Sequence, residues 1–155
     1  MSYKSIIKIG GKCLTSAECF VKIKDNLQKQ NAKLIIVSAL TKTTANLKES
    51  VELAVTGQYD DSHLDEIIAQ HLSIADDVLD NTDIFSRQFN RDIDWLKQRL
   101  ADIATKQTVT ALETDVILAK GEYWSSLLFA LYMGNDAKVL DATKVLVVNK
   151  QPNQC

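Results

Sequence analysis

Several protein classes are excluded by what this sequence has little of. Its 155 residues include one proline, five glycines, three cysteines and two histidines. An odd cysteine count without framework spacing argues against a disulfide scaffold. Two histidines that join no Cys/His cluster argue against a structural zinc site. We therefore expect no metal site and, because no export signal is visible, a reducing cytoplasm as the location.

Long apolar runs and an excess of positive charge are also lacking. The longest strictly apolar run, Leu127 to Met133, is far too short to span a bilayer. The start, Met-Ser-Tyr-Lys-Ser-Ile-Ile, lacks the layout of a signal peptide. A net charge of −2 gives no basic field for nucleic acid. With 46% hydrophobic and 25% charged residues, we expect one globular domain over residues 1–155, with neither nucleic acid nor membrane as partner.

The first forty residues have the pattern of a strand–helix–strand unit. Residues 3–9 are rich in isoleucine and stop at Gly10-Gly11, which predicts a strand. Thr15 to Glu18 fits a capping box, and helical periodicity continues to about Gln30. The apolar run 33–37 then predicts a buried strand, parallel to the first.

The middle of the chain has helical periodicity, and the pattern returns to strands near the end. A helix from about Glu122 to Met133 is followed by predicted strands over 137–140 and 144–148. The resulting class is α/β, with a mainly parallel sheet of about four strands flanked by helices and a helical excursion between residues 44 and 107. Apolar residues at helical spacing mark that excursion: Leu47, Val51 and Ala54; Leu64, Ile67, Ile68, His71, Ala75 and Val78; Phe85, Phe89, Ile93, Leu96, Leu100 and Ile103.

Three short motifs could carry chemistry. The first is Lys8-Ile9-Gly10-Gly11-Lys12-Cys13, a strand that enters a glycine turn. Glycines let a backbone approach phosphate oxygens, and a lysine can neutralise charge on a transferring phosphoryl group. The spacing is neither that of a P-loop nor that of a dinucleotide fingerprint. Taken alone, the motif fits an ordinary Gly-Gly turn beside a solvated lysine better.

The second and third motifs are helix starts. Val37-Ser38-Ala39 leads through threonines, including Thr44, into a helix whose N-terminus suits an anionic substrate. Gly121-Glu122, with Ser125 three residues on, places a carboxylate in a predicted first turn, where it could bind an ammonium group. For the second motif taken alone, ordinary N-capping by a threonine is the simpler interpretation. For the third, it is an acid favoured by the dipole at a helix start. His71, Trp95 and Trp124 are interpreted as packing groups.

In this order and spacing, the three motifs resemble the aspartokinase branch of the amino-acid kinase family. That family opens with lysine, an aromatic residue and Gly-Gly-Thr-Ser, continues with Val-Ser-Ala before a threonine and a leucine, and then has Gly-Glu with a serine. Here these are residues 8–13, residues 37–39 with Thr44 and Leu47, and Gly121, Glu122 and Ser125. The long helical stretch between Ser38 and Gly121 also resembles that branch.

The resemblance implies transfer of the γ-phosphoryl group of ATP to the side-chain carboxylate of L-aspartate. It implies that Lys8 is catalytic and that Gly10, Gly11 and Lys12 bind phosphate. It also implies that Ser38, Thr44 and Glu122 hold aspartate, with Ser125 as a weaker candidate. ATP and Mg²⁺ would serve the complete parent enzyme, and neither is expected to bind tightly to this chain alone. We expect this chain to be a homo-oligomer, because an incomplete parallel sheet leaves a strand edge unpaired and apolar faces uncovered.

Departures from the family pattern leave alternatives open. Lys12 and Cys13 replace the family's hydroxyl pair, and we find no nucleotide-binding half or regulatory domain after Asp141. The chain is therefore expected to be the substrate-binding part of an aspartokinase, inactive alone. The alternatives are a non-catalytic binding or assembly module derived from this fold, and another small-carboxylate kinase of the same family.

Overall fold

Two strands and five helices make up the part of the chain that the computed structural model describes, namely residues 5–30, 32–134 and 137–142. Short 3₁₀ turns at Gly11–Cys13 and Asp61–Leu64 complete the order of elements. The strands and helices are β1 (Ser5–Ile9), α1 (Ala17–Gln30), β2 (Ala32–Val37), α2 (Thr43–Val55), α3 (Asp65–Val78), α4 (Asp83–Lys106) and α5 (Ala111–Met133).

The strands β1 and β2 form a parallel pair joined by α1, which confirms the predicted strand–helix–strand unit. Ile6 lies opposite Leu34, and Ile9 lies opposite Val37. Ile9 and Val37 are buried, whereas Ile6, Leu34 and Ile36 are 65%, 42% and 49% exposed. The predicted buried strand is therefore covered on one face only, because the described residues place no layer over the other.

The helices enclose an aromatic cluster, which is part of the one hydrophobic core that the strands also join. Helix α2 packs against α4 and α5. His71 from α3 stacks on Phe89 from α4 at 5.1 Å between ring centroids, and Trp124 from α5 meets both rings edge-on. Burial lowers the pKa of His71 to about 4, since charging the ring would cost desolvation that its contact with the Ile67 carbonyl does not offset. The predicted packing roles of His71 and Trp124 are confirmed.

Two predictions of helix starts are wrong. Helix α5 begins at Ala111 rather than near Glu122, because Thr110 and Glu113 form a reciprocal capping box there. The hydroxyls of Thr15 and Ser16 contact the sulfur of Cys19, not the backbone near Glu18.

Residues 137–140 are described but form no strand. The predicted strand 144–148 lies outside the described residues. The sheet therefore has two strands within the part described, where about four were expected. No described helix is long and apolar enough to cross a membrane.

Candidate functional site

The carboxyl ends of the two strands bring the first two motifs together. Ile9 and Val37 are register partners, and the Ser38 N–H donates to the Ile9 carbonyl at 3.0 Å. Two loops begin where these strands end: the glycine turn, residues 10–13, and the Ser38 loop, residues 38–42. Because parallel strands end at the same edge of a sheet, the two loops start side by side. This edge is where ligands collect in parallel α/β sheets.

Gly11 is required by the contact between these two loops. A Cβ atom built on Gly11 would collide with the Ala39 carbonyl oxygen, whereas one on Gly10 would meet nothing within 4 Å. The Thr41 hydroxyl also donates to the Gly11 carbonyl at 3.0 Å. The two glycines therefore serve different purposes: Gly11 lets the loops touch, and Gly10 leaves its surroundings open.

The third motif reaches the same place from α5. A Cβ atom on Gly121 would lie 3.0 Å from the Ala39 Cβ and 3.1 Å from the Thr43 Cγ2, which is tighter than ordinary side-chain contact. Gly121 therefore allows a helix to press directly on the Ser38 loop; it is not a turn residue. All three motifs converge on Ala39, although they are spread along the chain from residue 8 to residue 125.

The predicted site residues differ in how accessible they are. Lys8, Lys12, Thr44 and Glu122 are exposed, and Gly10, Gly11 and Ser38 are partly buried. Glu122 lies in the middle of α5, so the helix-dipole argument for its position is wrong. Ser125 is buried, and its hydroxyl donates to the Gly121 carbonyl at 3.0 Å. The hydroxyl of Ser125 is therefore used in a hydrogen bond within its own helix.

Lys42, in the loop between β2 and α2, was not among the predicted site residues. It precedes α2 with φ +70°, a left-handed conformation that is unfavourable for any residue with a side chain. Its ammonium lies 3.3 Å from Glu66, which also accepts from Asn46 at 2.9 Å. The hydrogen bond from Asn46, and after it the contact with Lys42, hold the pKa of Glu66 below its usual value. No pattern in the sequence indicates a positive φ at a lysine.

A buried carboxylate also escaped prediction. Asp92 on α4 is 7% exposed, and it accepts from the Lys120 ammonium and from the Trp124 indole N–H, each at 3.0 Å. A signal for it was present: Asp92 lies three residues after Phe89 and one before Ile93, within the apolar stripe of its helix. An acid on such a stripe needs a partner when it is buried.

Lysine side chains adjoin the glycine turn. No group of three His, Cys, Asp or Glu side chains suited to a metal occurs within residues 5–30, 32–134 and 137–142. Two exposed lysines, Lys8 and Lys12, flank the open backbone of Gly10. Lys8 also borders a depression between β1 and α1, lined in part by Cys13 and Asn26. Such an arrangement can neutralise phosphate oxygens.

A parallel strand pair with glycine and serine loops at its carboxyl edge, beside a helical bundle, is a partial α/β fold of the kinase type. Comparison with known proteins makes this more specific, although no family model matches the chain. It is 31% identical over 155 residues to a chloroplastic bifunctional aspartokinase/homoserine dehydrogenase of Zea mays, and 29% identical over 147 residues to the chloroplastic aspartokinase 1 of Arabidopsis thaliana. These alignments cover 94% and 90% of this chain.

A solved aspartokinase structure has a similar fold over most of this chain. The aspartokinase III of E. coli, in complex with aspartate and ADP, superimposes with a TM-score of 0.72 at 21% identity over 84% of this chain. The chain is thus similar in sequence to one part of the aspartokinases and has the fold of the corresponding part of a solved aspartokinase. It spans 17% of the maize protein, 26% of the Arabidopsis protein and 29% of the E. coli chain.

Proposed function

We propose that the complete polypeptide carrying this chain transfers the γ-phosphoryl group of ATP to the side-chain carboxylate of L-aspartate. The observation that carries the proposal is the convergence of the glycine turn, the Ser38 loop and α5 on Ala39. Separate phosphate-binding and amino-acid-binding elements must adjoin if a phosphoryl group is to pass between their ligands.

Each element has a role in the proposal. Lys8 stabilises charge on the transferring phosphoryl group, and Gly10, Gly11 and Lys12 bind the terminal phosphates. Catalysis of this kind is mostly positioning and charge stabilisation, to which Mg²⁺ contributes when it is bound to the nucleotide. A chain with two exposed lysines beside an open glycine backbone supports the phosphate side of the proposal.

The amino-acid side is assigned to Ser38, Thr44 and Glu122. Ser38 and Thr44 belong to the loop and helix start beside the glycine turn, and Glu122 follows the glycine that presses on that loop. Glu122 is the only one of the three that can carry the negative charge needed to attract an ammonium group. Ser125, which is buried and bonded to its own helix, is given no ligand in this scheme.

The roles are separable by kinetics in the full-length polypeptide. Lys8→Ala should reduce kcat by about 10²-fold or more, because its charge acts most where charge develops. Glu122→Gln should raise the aspartate KM about tenfold or more and leave the melting temperature almost unchanged. Lys33→Ala on β2 and Asp115→Asn on α5 are matched controls at exposed positions. Near-normal kcat in Lys8→Ala, or unchanged aspartate kinetics in Glu122→Gln, removes that residue from the mechanism.

A binding or assembly module is the second candidate, and the open sheet face favours it. Ile6, Leu34 and Ile36 present an apolar surface that a second copy of the chain could cover. Light scattering of the 155-residue chain should then show a species larger than 17.3 kDa, which Ile36→Lys returns to a monomer. We expect no turnover from this chain alone, because it spans less than a third of the relatives it matches.

A further inference from the structure

The buried carboxylate of Asp92 joins the two longest helices at one point. Oδ1 accepts from the Lys120 ammonium at 3.0 Å, and Oδ2 accepts from the Trp124 indole at 3.0 Å. The same ammonium lies 4.9 Å from the ring centre of Trp95 and 5.7 Å from that of Tyr123. Asp92 and Trp95 belong to α4, whereas Lys120, Tyr123 and Trp124 belong to α5.

These contacts determine how α5 is rotated and how far it is shifted along α4. Apolar side chains tolerate small sliding movements, but hydrogen bonds to a carboxylate weaken steeply when their angles change. Both oxygens of Asp92 are engaged by donors from α5, one above the other along the helix. A buried ion pair that fixes one arrangement among several is a recognised use of such pairs.

The residues that follow Lys120 in sequence are those of the proposed aspartate site. Gly121 presses against Ala39 of the Ser38 loop and against Thr43 at the start of α2, and Glu122 comes next. Helix α5 therefore contacts Asp92 of α4 through Lys120 and Trp124, and it contacts the Ser38 loop through Gly121. A turn of the helix about its axis would move Gly121 and Glu122 together, since both belong to one rigid helical segment.

We propose that Asp92 and Lys120 are positioning residues for Glu122. They orient α5 so that the carboxylate of Glu122 meets the amino acid. This proposal rests on the assignment of Glu122 to aspartate in the proposed function. A displacement of about 1 Å in such a group can cost 10²-fold in rate.

The first test is steady-state kinetics of the full-length polypeptide. Lys120→Met keeps the length of the side chain and removes its charge, and we expect it to raise the aspartate KM about tenfold with the ATP KM within about twofold. Lys120→Arg should restore the aspartate KM, because a guanidinium can donate to Asp92 and stack on Trp95. Equal changes in both KM values, or a lower melting temperature with no change in either, would overturn the proposal.

Two control variants distinguish the loss of the contact between Asp92 and Lys120 from general effects of altering a charge on α4. Asp94→Asn removes an exposed acid two residues from Asp92. Lys97→Met breaks a surface ion pair between α4 and Asp61 of 3.4 Å. Both should leave the aspartate KM unchanged; a rise in either as large as that in Lys120→Met counts against a specific role for Asp92.

A second test does not depend on kinase activity. In nuclear magnetic resonance spectra of the 155-residue chain, Lys120→Met should shift the amide signals of Glu122, Ala39 and Thr43, and Lys97→Met should not. If the changes stop within α4 and residues 117–124, with none at residues 38–44, the coupling is absent and the positioning role is wrong. If these shifts appear but the unaltered polypeptide does not phosphorylate aspartate, the proposed function fails while the coupling of Lys120 to the Ser38 loop stands.

Discussion

The helical part of the molecule and the strand part differ in how completely their surfaces are covered. In the helical part, Phe85, Phe89 and Trp124 are fully buried, and the buried acid Asp92 has partners on both oxygens. In the strand part, Ile6, Leu34 and Ile36 face outwards on one side of the sheet. The candidate site lies where the two parts meet.

This difference indicates that the two parts depend on their surroundings to different extents. A closed aromatic core supplies its own stability through burial and close packing. The strand pair within the described residues has one uncovered face, and such a pair is marginally stable until further strands or another chain extend or cover it. We therefore expect substitutions among the buried aromatic residues of the helices to affect stability most. Substitutions where the glycine turn and α5 contact the Ser38 loop should affect the site most.

The largest effect is expected at Trp124. Trp124→Ala removes a fully buried ring, opens a cavity beside His71 and Phe89, and takes one donor from Asp92. The free energy of unfolding should fall by about 4 kcal/mol in chemical denaturation. Trp95→Ala, at the partly exposed tryptophan of the chain, should cost clearly less. Equal losses would contradict the view that the aromatic core dominates stability.

The second effect concerns pH. Burial lowers the pKa of His71 to about 4 from 6.5, so the unfolded chain binds one more proton than the folded chain between these values. Stability at this site is therefore fully present above about pH 6.5 and declines by about 3 kcal/mol as pH falls towards 4.

Denaturation curves at several pH values measure this effect. His71→Gln should be less stable at neutral pH and should flatten the slope between pH 4 and 6.5. His63→Gln is the matched control, since it removes the other imidazole and leaves the aromatic core intact, so it should keep the slope. A slope unaffected by His71→Gln would mean that other groups cause the acid sensitivity.

The third effect tests the contact between the glycine turn and the Ser38 loop. Gly11→Ala forces a Cβ atom against the Ala39 carbonyl, so the two loops must separate, at a cost of about 2 kcal/mol. Gly10→Ala meets no atom within 4 Å and has φ −78°, which any residue adopts, so its effect on stability should be small. Thermal denaturation of both variants distinguishes the two glycines. Equal costs would show that loop contact is not the reason for Gly11.

The smallest effect is at Lys42. Lys42→Gly should relieve the left-handed strain, by about 1 kcal/mol, and lose an exposed ion pair with Glu66 that contributes less. A small net gain in stability is expected. Lys42→Ala loses the same ion pair and keeps the strain, so it should be slightly destabilised. If the two variants shift the melting temperature in the same direction, backbone strain at residue 42 is negligible.

The order of the elements from β1 to α4 could be predicted because it depends on local patterns. The strands at residues 5–9 and 32–37, the helices α1 to α4 and the buried position of His71 all follow from periodicity and turn residues. The predicted start of α5 near Glu122 is wrong because Gly121 was interpreted as lying outside the helix; glycine is unfavourable inside helices by about 1 kcal/mol. Only the contact with Ala39 and Thr43 explains why glycine is used there.

Part of the candidate site could also be predicted from local patterns. The glycine turn and Ser38 could be placed at one sheet edge because parallel strands end together. The approach of Gly121, the role of Ser125 within its own helix and the strain at Lys42 could not be predicted. Each depends on atoms from segments that are far apart in sequence or on a conformation that the residue type disfavours.

By itself, the sequence determined the class of fold, the strand–helix–strand unit, the long helical stretch and the resemblance to aspartokinases. These depend on residue spacing and short motifs, which are properties of neighbouring positions. Three features depend on tertiary structure: the three motifs meet at Ala39, Asp92 bonds to α5 through Lys120 and Trp124, and no described residue covers the outer face of the strand pair. Their physical cause is packing between distant segments, which the spacing of residues along one chain does not specify.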